Sequence, residues 1–236
     1  MRESGRILAS ILQLLKEKSA PGLTPKDISK LARDELKRQG GEPAFLHFFG
    51  YPDTICISVN DQVQHSIPDD RPFEEGDVVN YDFGVRYEGM VTDAGITVCI
   101  GKSTPDTARL IKGTEHALNN ALKVVRHGCR VGDISATIER TLRTYKLGIV
   151  RELVGHGVGY ELHEDPEIPN YGKAGTGPVL KAGMTIAIEP ITTLGDPAII
   201  EAKDGWTLRT RDGSWSAQFE HTVLVTPTGC EVLTKV

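Results

Sequence analysis

Apolar residues recur at helical spacing from the first turn of the chain, where Ile7, Leu8, Ile11, Leu12, Leu14 and Leu15 predict an amphipathic helix over residues 3–18. Pro21-Gly22 stops it. Thr24-Pro25-Lys26-Asp27 then starts a second helix, with Thr24 as N-cap, Pro25 in the first turn and Asp27 at the positive end. Gly40-Gly41 closes that helix. A loop carrying Phe45, Phe48, Phe49 and Tyr51 leads to a strand over residues 54–59, and Asn60-Asp61 turns the chain toward an irregular loop from His65 to Asp70. The remainder follows the same plan. Thr104-Pro105-Asp106 starts a helix expected to reach Arg126, with Gly128 as its C-cap. Gly113 within it costs about 1 kcal/mol relative to alanine and tells against its continuity. Asp133 is expected to cap a fourth helix ending near Lys146. A turn-rich stretch from Gly155 to Pro178 precedes a strand at residues 184–189, and the last strands fall at 198–202, 206–210, 216–225 and 231–235.

The stretch EGDVVNYDFGVRYEGMVTDAG, from Glu75 to Gly95, reads as two strands joined by a polar turn at Arg86–Gly89, each strand ending in an aspartate, Asp82 and Asp93. Two carboxylates placed this way can lie side by side on adjacent strands. In a sheet interior they repel and take up protons unless a counter-charge lies between them, and a metal ion is one such counter-charge. Two solvent-facing aspartates are the plain alternative at this point.

The hairpin has a counterpart. EEGDVVNYD and KAGMTIAIE both set a glycine six residues ahead of a carboxylate, so Gly76 to Asp82 mirrors Gly183 to Glu189. With the repeated helix pair this predicts an α+β fold in one domain, 1–236, built as a duplicated unit with halves of about 1–100 and 101–236 related by a pseudo-twofold. Strands from both halves meet in a curved, mainly antiparallel sheet covered by helices. A site at the junction then receives acids from both halves.

Composition narrows the function classes. The chain has 236 residues and a net charge of −5 with no basic run, which gives no support to nucleic-acid binding. Charges interrupt the apolar spacing of the N-terminal helix, so it is neither a signal peptide nor a membrane span. Cys56, Cys99, Cys129 and Cys230 are scattered without a CxxC pair, which fits reduced thiols in the cytoplasm.

Candidate chemistry concentrates in acids at strand ends or glycine-rich bends: Asp82 and Asp93 in the first half, Glu189 and Glu220 in the second, with His156 between two glycines. Taken singly, Glu220 can face solvent and His156 can bond a backbone carbonyl. Jointly, four carboxylates and one imidazole look like a two-metal site for Mn, Fe, Co or Zn, with donors unlike the sulfur-rich set of a structural zinc.

The motifs CISVND, HSIPDD, VVNYD, GHGVG followed by LHEDP, MTIAIEP and SAQFEHT, with the acid at Asp93, resemble those of the pita-bread metallopeptidases, and within them the type I methionine aminopeptidases. The resemblance spans nearly the whole chain and implies the pita-bread fold. It implies two divalent ions (Co, Mn, Fe or Zn), with Asp82 on one, His156 and Glu189 on the other, and Asp93 and Glu220 bridging both; a nearby monovalent cation is left open. It further implies Glu189 as general base, with His65 and His163 contacting the scissile peptide, and Tyr51, Cys56 and Trp206 lining a methionine pocket. The implied activity is hydrolytic removal of an N-terminal methionine that precedes a small, uncharged residue. Nascent polypeptides and peptides are the implied substrates of a cytoplasmic monomer, with ribosome association left open.

The chain departs from the pattern at Phe48, where tyrosine is usual, at Leu162, where phenylalanine is frequent, and at Gln64-His65-Ser66 in place of Cys-His-Gly. It also opens directly at MRESGR, where the family has a short extra segment. Two other readings share part of this pattern: an Xaa-Pro aminopeptidase or dipeptidase of the same fold, and a non-catalytic binding homologue, although relatives of the latter kind lose ligands.

Overall fold

The computed structural model describes residues 1–235. Its first half places two helices, α1 (Arg2–Lys18) and α2 (Pro25–Arg38), ahead of strands β1 (Glu42–Pro43), β2 (Cys56–Val59), β3 (Gln62–Gln64), β4 (Val78–Tyr87) and β5 (Met90–Cys99). The second half repeats the helix pair as α3 (Pro105–Leu122) and α4 (Val131–Thr144). Strands β6 (Gly148–Ile149), β7 (Gly155–Gly157), β8 (Glu164–Ile168), β9 (Thr185–Ile188) and β10 (Ile191–Thr193) follow. The chain ends with β11 (Ile199–Glu201), β12 (Leu208–Thr210), β13 (Ser216–Gln218), β14 (His221–Val225) and β15 (Cys230–Val232).

Each half packs its helices on its own strands. Ile7, Leu8, Ile11 and Leu15 of α1 are fully buried against Val79, Tyr81, Phe83 and Val85 of β4. In the second half Leu110, Leu118, Ile134, Ile138 and Leu142 pack against Ile186, Ile188 and Val223. Ile96 of β5 touches both clusters, so the two cores meet at the middle of the sheet. The ladders form four segments, with orders β1-β4-β2 (β5 also pairing β4), β13-β10-β6, β11-β12-β3 and β15-β14-β9-β7-β8.

The mirrored glycines have the same backbone. Gly76 has φ 93° and Gly183 has φ 96°, a left-handed conformation that a side chain disfavours. Gly76 N–H donates to Ile100 O at 2.7 Å, and Gly183 N–H to Val225 O at 3.0 Å. Ile100 N–H donates to Asp77 O and Val225 N–H to Met184 O, both at 2.8 Å. The pseudo-twofold itself runs between Gly95 and Glu220: Glu220 N–H donates to Gly95 O at 2.8 Å and Gly95 N–H to Glu220 O at 3.4 Å. Two residues on from each, a threonine crosses the axis. Thr97 Oγ1 accepts from Gln218 N–H and donates to Gln218 O, while Thr222 Oγ1 does the same to Asp93.

Several local expectations change. The β4–β5 turn is only Glu88-Gly89, with Arg86 and Tyr87 paired to Val91 and Met90, so Asp82 lies in mid-strand rather than at a strand end. Tertiary cover extends the ladder: β1 pairs with β4 at Arg86 and Val85, beyond what the local pattern shows. Helix α3 is continuous through Gly113, where Leu147 and Tyr145 occupy the space a Cβ would need, and it ends at Leu122 rather than Arg126. Asp133 stands at the third position of α4, not at its cap; its carboxylate accepts from Arg130 N–H at 2.9 Å. The turn-rich stretch from Gly155 holds β7 and β8. The strand expected over 216–225 breaks at Phe219-Glu220, passing from a ladder with β10 to one with β9.

Candidate metal centre

The break lets Glu220 line a cavity of about 630 Å³ together with Asp82, Asp93, His156 and Glu189. Asp82 sits opposite Gly95 and Asp93 opposite Gly84, so the two are diagonal neighbours on one face of the hairpin. His156 pairs with Ala187 in register, which sets its ring beside the end of β9, where Glu189 follows. The flanking glycines allow this packing. A Cβ on Gly155 would lie 2.4 Å from Ala187 O, and one on Gly157 would lie 2.3 Å from Asp165 O.

Asp82, Asp93 and Glu220 offer oxygens within 4.8 Å of one another, and Glu220 shares a second such group with His156 and Glu189. A third group joins Asp93, His156 and His163. The structure therefore gathers all five sequence-derived ligand candidates and adds His163 at their margin. The rings of His156 and His163 lie 4.2 Å apart between centroids.

Burial dominates the electrostatics of the cluster. Burial raises the Asp82 carboxyl to about 7. Burial, then the neighbouring acids, push Asp93, Glu189 and Glu220 well above the ordinary carboxylate range. His156 is lowered to about 4, chiefly by burial and then by His163. Its Nδ1–H donates to Gly157 O at 2.9 Å, so the Nε2 lone pair faces Glu189 Oε1 at 3.7 Å and Asp93 Oδ2 at 3.9 Å. At these distances the lone pair makes no hydrogen bond, and a cation between it and the oxygens would give it a partner. Asp82 Oδ1, Asp93 Oδ1 and Glu220 Oε1 are buried with no hydrogen-bond partner, against the rule that buried polar atoms are paired. Idle buried oxygens and an open imidazole nitrogen fit divalent metal ions, and the ring's Nδ1 contact is the kind that fixes a ligating tautomer.

The other candidates line the same cavity. His65, with φ 58°, and His163 lie on its wall, both with pKa lowered mainly by burial. Tyr51, Cys56 and Trp206 form an apolar recess with Phe45, Phe48 and Leu162. Tyr51 stacks edge-on against Trp206 at 5.2 Å, and its hydroxyl donates to Ser66 O at 2.8 Å. Phe48 packs edge-on against His163 at 5.2 Å, so a departure from the family pattern borders one of the histidines.

Supporting residues went unseen in the sequence. Gln218 Nε2–H donates to Glu220 Oε2 at 3.0 Å, Thr222 holds the Asp93 backbone, and Asn170 donates to Glu189 O at 3.0 Å. Only the repeat could have pointed to Gln218, since it stands where the first half has Asp93.

The metallopeptidase family M24 model matches residues 1–227. Methionine aminopeptidase 1 of Bacillus subtilis is 39% identical over 236 residues, covering all of this chain and 95% of its own. The crystal structure of methionine aminopeptidase from Thermotoga maritima superposes with a TM-score of 0.98 at 42% identity, covering 100% of this chain and 95% of that one. Prolidase from Pyrococcus furiosus shares the fold at a TM-score of 0.81 and 23% identity, with 62% of its length covered.

Proposed function

The chain belongs to metallopeptidase family M24, and from that premise we propose that it is a metal-dependent methionine aminopeptidase. It removes the N-terminal methionine of nascent polypeptides and peptides whose second residue is small and uncharged. The observation that carries the reading is the convergence of Asp82, Asp93, His156, Glu189 and Glu220 in one cavity with an apolar recess beside it.

In this reading Asp82 would hold one ion, His156 and Glu189 would hold the other, and Asp93 and Glu220 would serve both. The ions belong to the Mn, Fe, Co and Zn class that oxygen donors with one imidazole accept. When bound, they supply a water that is nucleophilic at neutral pH. Glu189 takes the proton from the attacking water at a carboxylate oxygen and passes it to the leaving amine nitrogen. His163 donates a ring N–H to the substrate carbonyl oxygen as charge develops there, and His65 contacts the scissile nitrogen. Both histidines have lowered pKa and stay neutral at pH 7, so each offers one donor and one acceptor. The recess of Tyr51, Cys56 and Trp206 takes the unbranched thioether side chain. Because ligands come from both halves, 1–236 acts as one catalytic unit. The reading extends to a monomer in the cytoplasm, in keeping with four free thiols. No helix among the described residues is long and apolar enough to cross a membrane.

Peptides that vary the first two residues test the assignment. Met-Ala-Ser should be cleaved about 10- to 100-fold better than Leu-Ala-Ser by kcat/KM, with Met-Leu-Ser and Ala-Pro poor. A preference for Ala-Pro would move the assignment to the Xaa-Pro peptidases.

A further inference from the structure

Gln64 is a buried side chain that the reaction leaves unused. It ends β3, immediately before His65, and is 1% exposed while lining the same cavity as the ligand set. Neither its Nε2 nor its Oε1 has a hydrogen-bond partner. Among the described residues the other buried side chains with idle polar atoms, apart from the carboxylates, are Thr54, Asn80, Asn170 and Ser214, and none of them lines this cavity. An unpaired buried amide is destabilising, so its retention beside the acids calls for a partner. Asp82 lines the same cavity, its Oδ1 is idle as well, and it stands opposite Cys56 on the strand that precedes β3. An idle donor and an idle acceptor thus line one cavity. A carboxylate that turns one oxygen to a cation needs a donor on the other, and outer-shell partners of this kind set ligand orientation.

We infer that Gln64 is a positioning residue for Asp82: its Nε2–H donates to the Asp82 oxygen turned away from the ion and so sets the affinity of the first-half metal position. The inference rests on the two-ion reading of the site. It also gives a role to a departure from the family pattern, since Gln64 stands where cysteine is usual and a thiol is a much weaker donor.

Calorimetric titration of the metal-free full chain with Mn²⁺ tests this, alongside its thermal unfolding. Gln64→Met keeps the length of the side chain and removes the donor. One of two ions should then bind about 10- to 100-fold more weakly, the other should be unchanged, and the unfolding midpoint of the metal-free chain should not fall. Gln64→Asn, which keeps the amide but withdraws it by one methylene, should give the same selective loss and serves if Gln64→Met does not fold. In an Asp82→Asn background, Gln64→Met should leave the remaining ion untouched. Wild-type affinities in both Gln64 variants, or equal weakening of both ions with a lower midpoint, would overturn the role of Gln64. A wild-type chain that binds no Mn²⁺ would instead overturn the two-ion reading itself.

Discussion

The two halves of the molecule use one backbone plan and place their chemistry differently on it. In the first half Asp82 and Asp93 both come from a single long hairpin, and the position on the pseudo-twofold is Gly95. In the second half the equivalent axis position is Glu220, the strand is broken beside it, and the residue equivalent to Asp93 is Gln218. The difference follows from crowding at the axis. A Cβ on Gly95 would lie 1.9 Å from Gln218 Oε1, so the glutamine of one half fills the space that a side chain of the other half would occupy. Gln218 then uses its amide to donate to Glu220. The two halves present like backbone frames, and the one pair of positions where they meet carries one acid and its support.

The sharpest break in this comparison is expected at the shared ligands. In the proposed scheme Asp93→Asn and Glu220→Gln each touch both ions, so each should lower kcat/KM by more than the ~100-fold that outer-shell partners cost. Each should also remove both ions in a metal-binding assay. Asp82→Asn should remove mainly one. Equal loss of both ions in Asp82→Asn would show that the halves do not hold separate positions.

A second way to probe the asymmetry is pH, because the acids come from both halves and His156 from the second alone. For Asp82, raised to about 7 when folded from an ordinary value near 4, the stabilising contribution is present below about pH 4. It is lost as pH rises through about 7. Asp93, Glu189 and Glu220 shift in the same direction. His156, lowered to about 4 from its ordinary 6.5, acts the opposite way: its contribution is present above about 6.5 and is lost as pH falls through about 4. The acids outnumber it. The unfolding midpoint of the metal-free chain should therefore fall between about pH 5 and 8, and added divalent ion should flatten that slope. A midpoint that rises over this window without metal would contradict the burial-driven shifts.

The smallest expected effect is on the axis itself. Gly95→Ala should destabilise the chain by about 1–3 kcal/mol, the usual cost of overpacking, read as a shift in denaturant midpoint. Gly95→Ala combined with Gln218→Ala should recover part of that loss by making room for the added methyl, while leaving Glu220 without its amide donor. If the double variant is no more stable than the single, Gln218 is not what keeps position 95 a glycine.

Much of this was legible in residue order. The four helices follow from apolar spacing and the Thr24 and Thr104 caps, both of which accept from the third helical residue as expected. The Gly76–Asp82 and Gly183–Glu189 runs point to the repeat in the residue order alone, and the five ligand candidates stand out only as a set, since each taken singly has a surface or backbone explanation. Less was legible in the strands. Residues 216–225 read as one β-rich run, yet they split at Phe219-Glu220 because β13 and β14 answer to different neighbours, β10 and β9. Thr97 and Thr222 carried no signal of their own, since their partners lie more than a hundred residues away in the chain, and Gln218, only two residues from the Glu220 it donates to, is held there by Thr97 across the axis.

Residue order by itself determined where most helices and strands lie and which side chains are candidates to ligate. Spacing and capping are local properties, and acids in apolar runs are visible wherever they occur. It could not settle that Gly95 and Glu220 face each other, that Asp82 lies in mid-strand, or that Gln64 is left with idle polar atoms beside it. Those depend on which surfaces pack together, and packing brings remote residues within bonding distance through cores that form cooperatively across the whole chain.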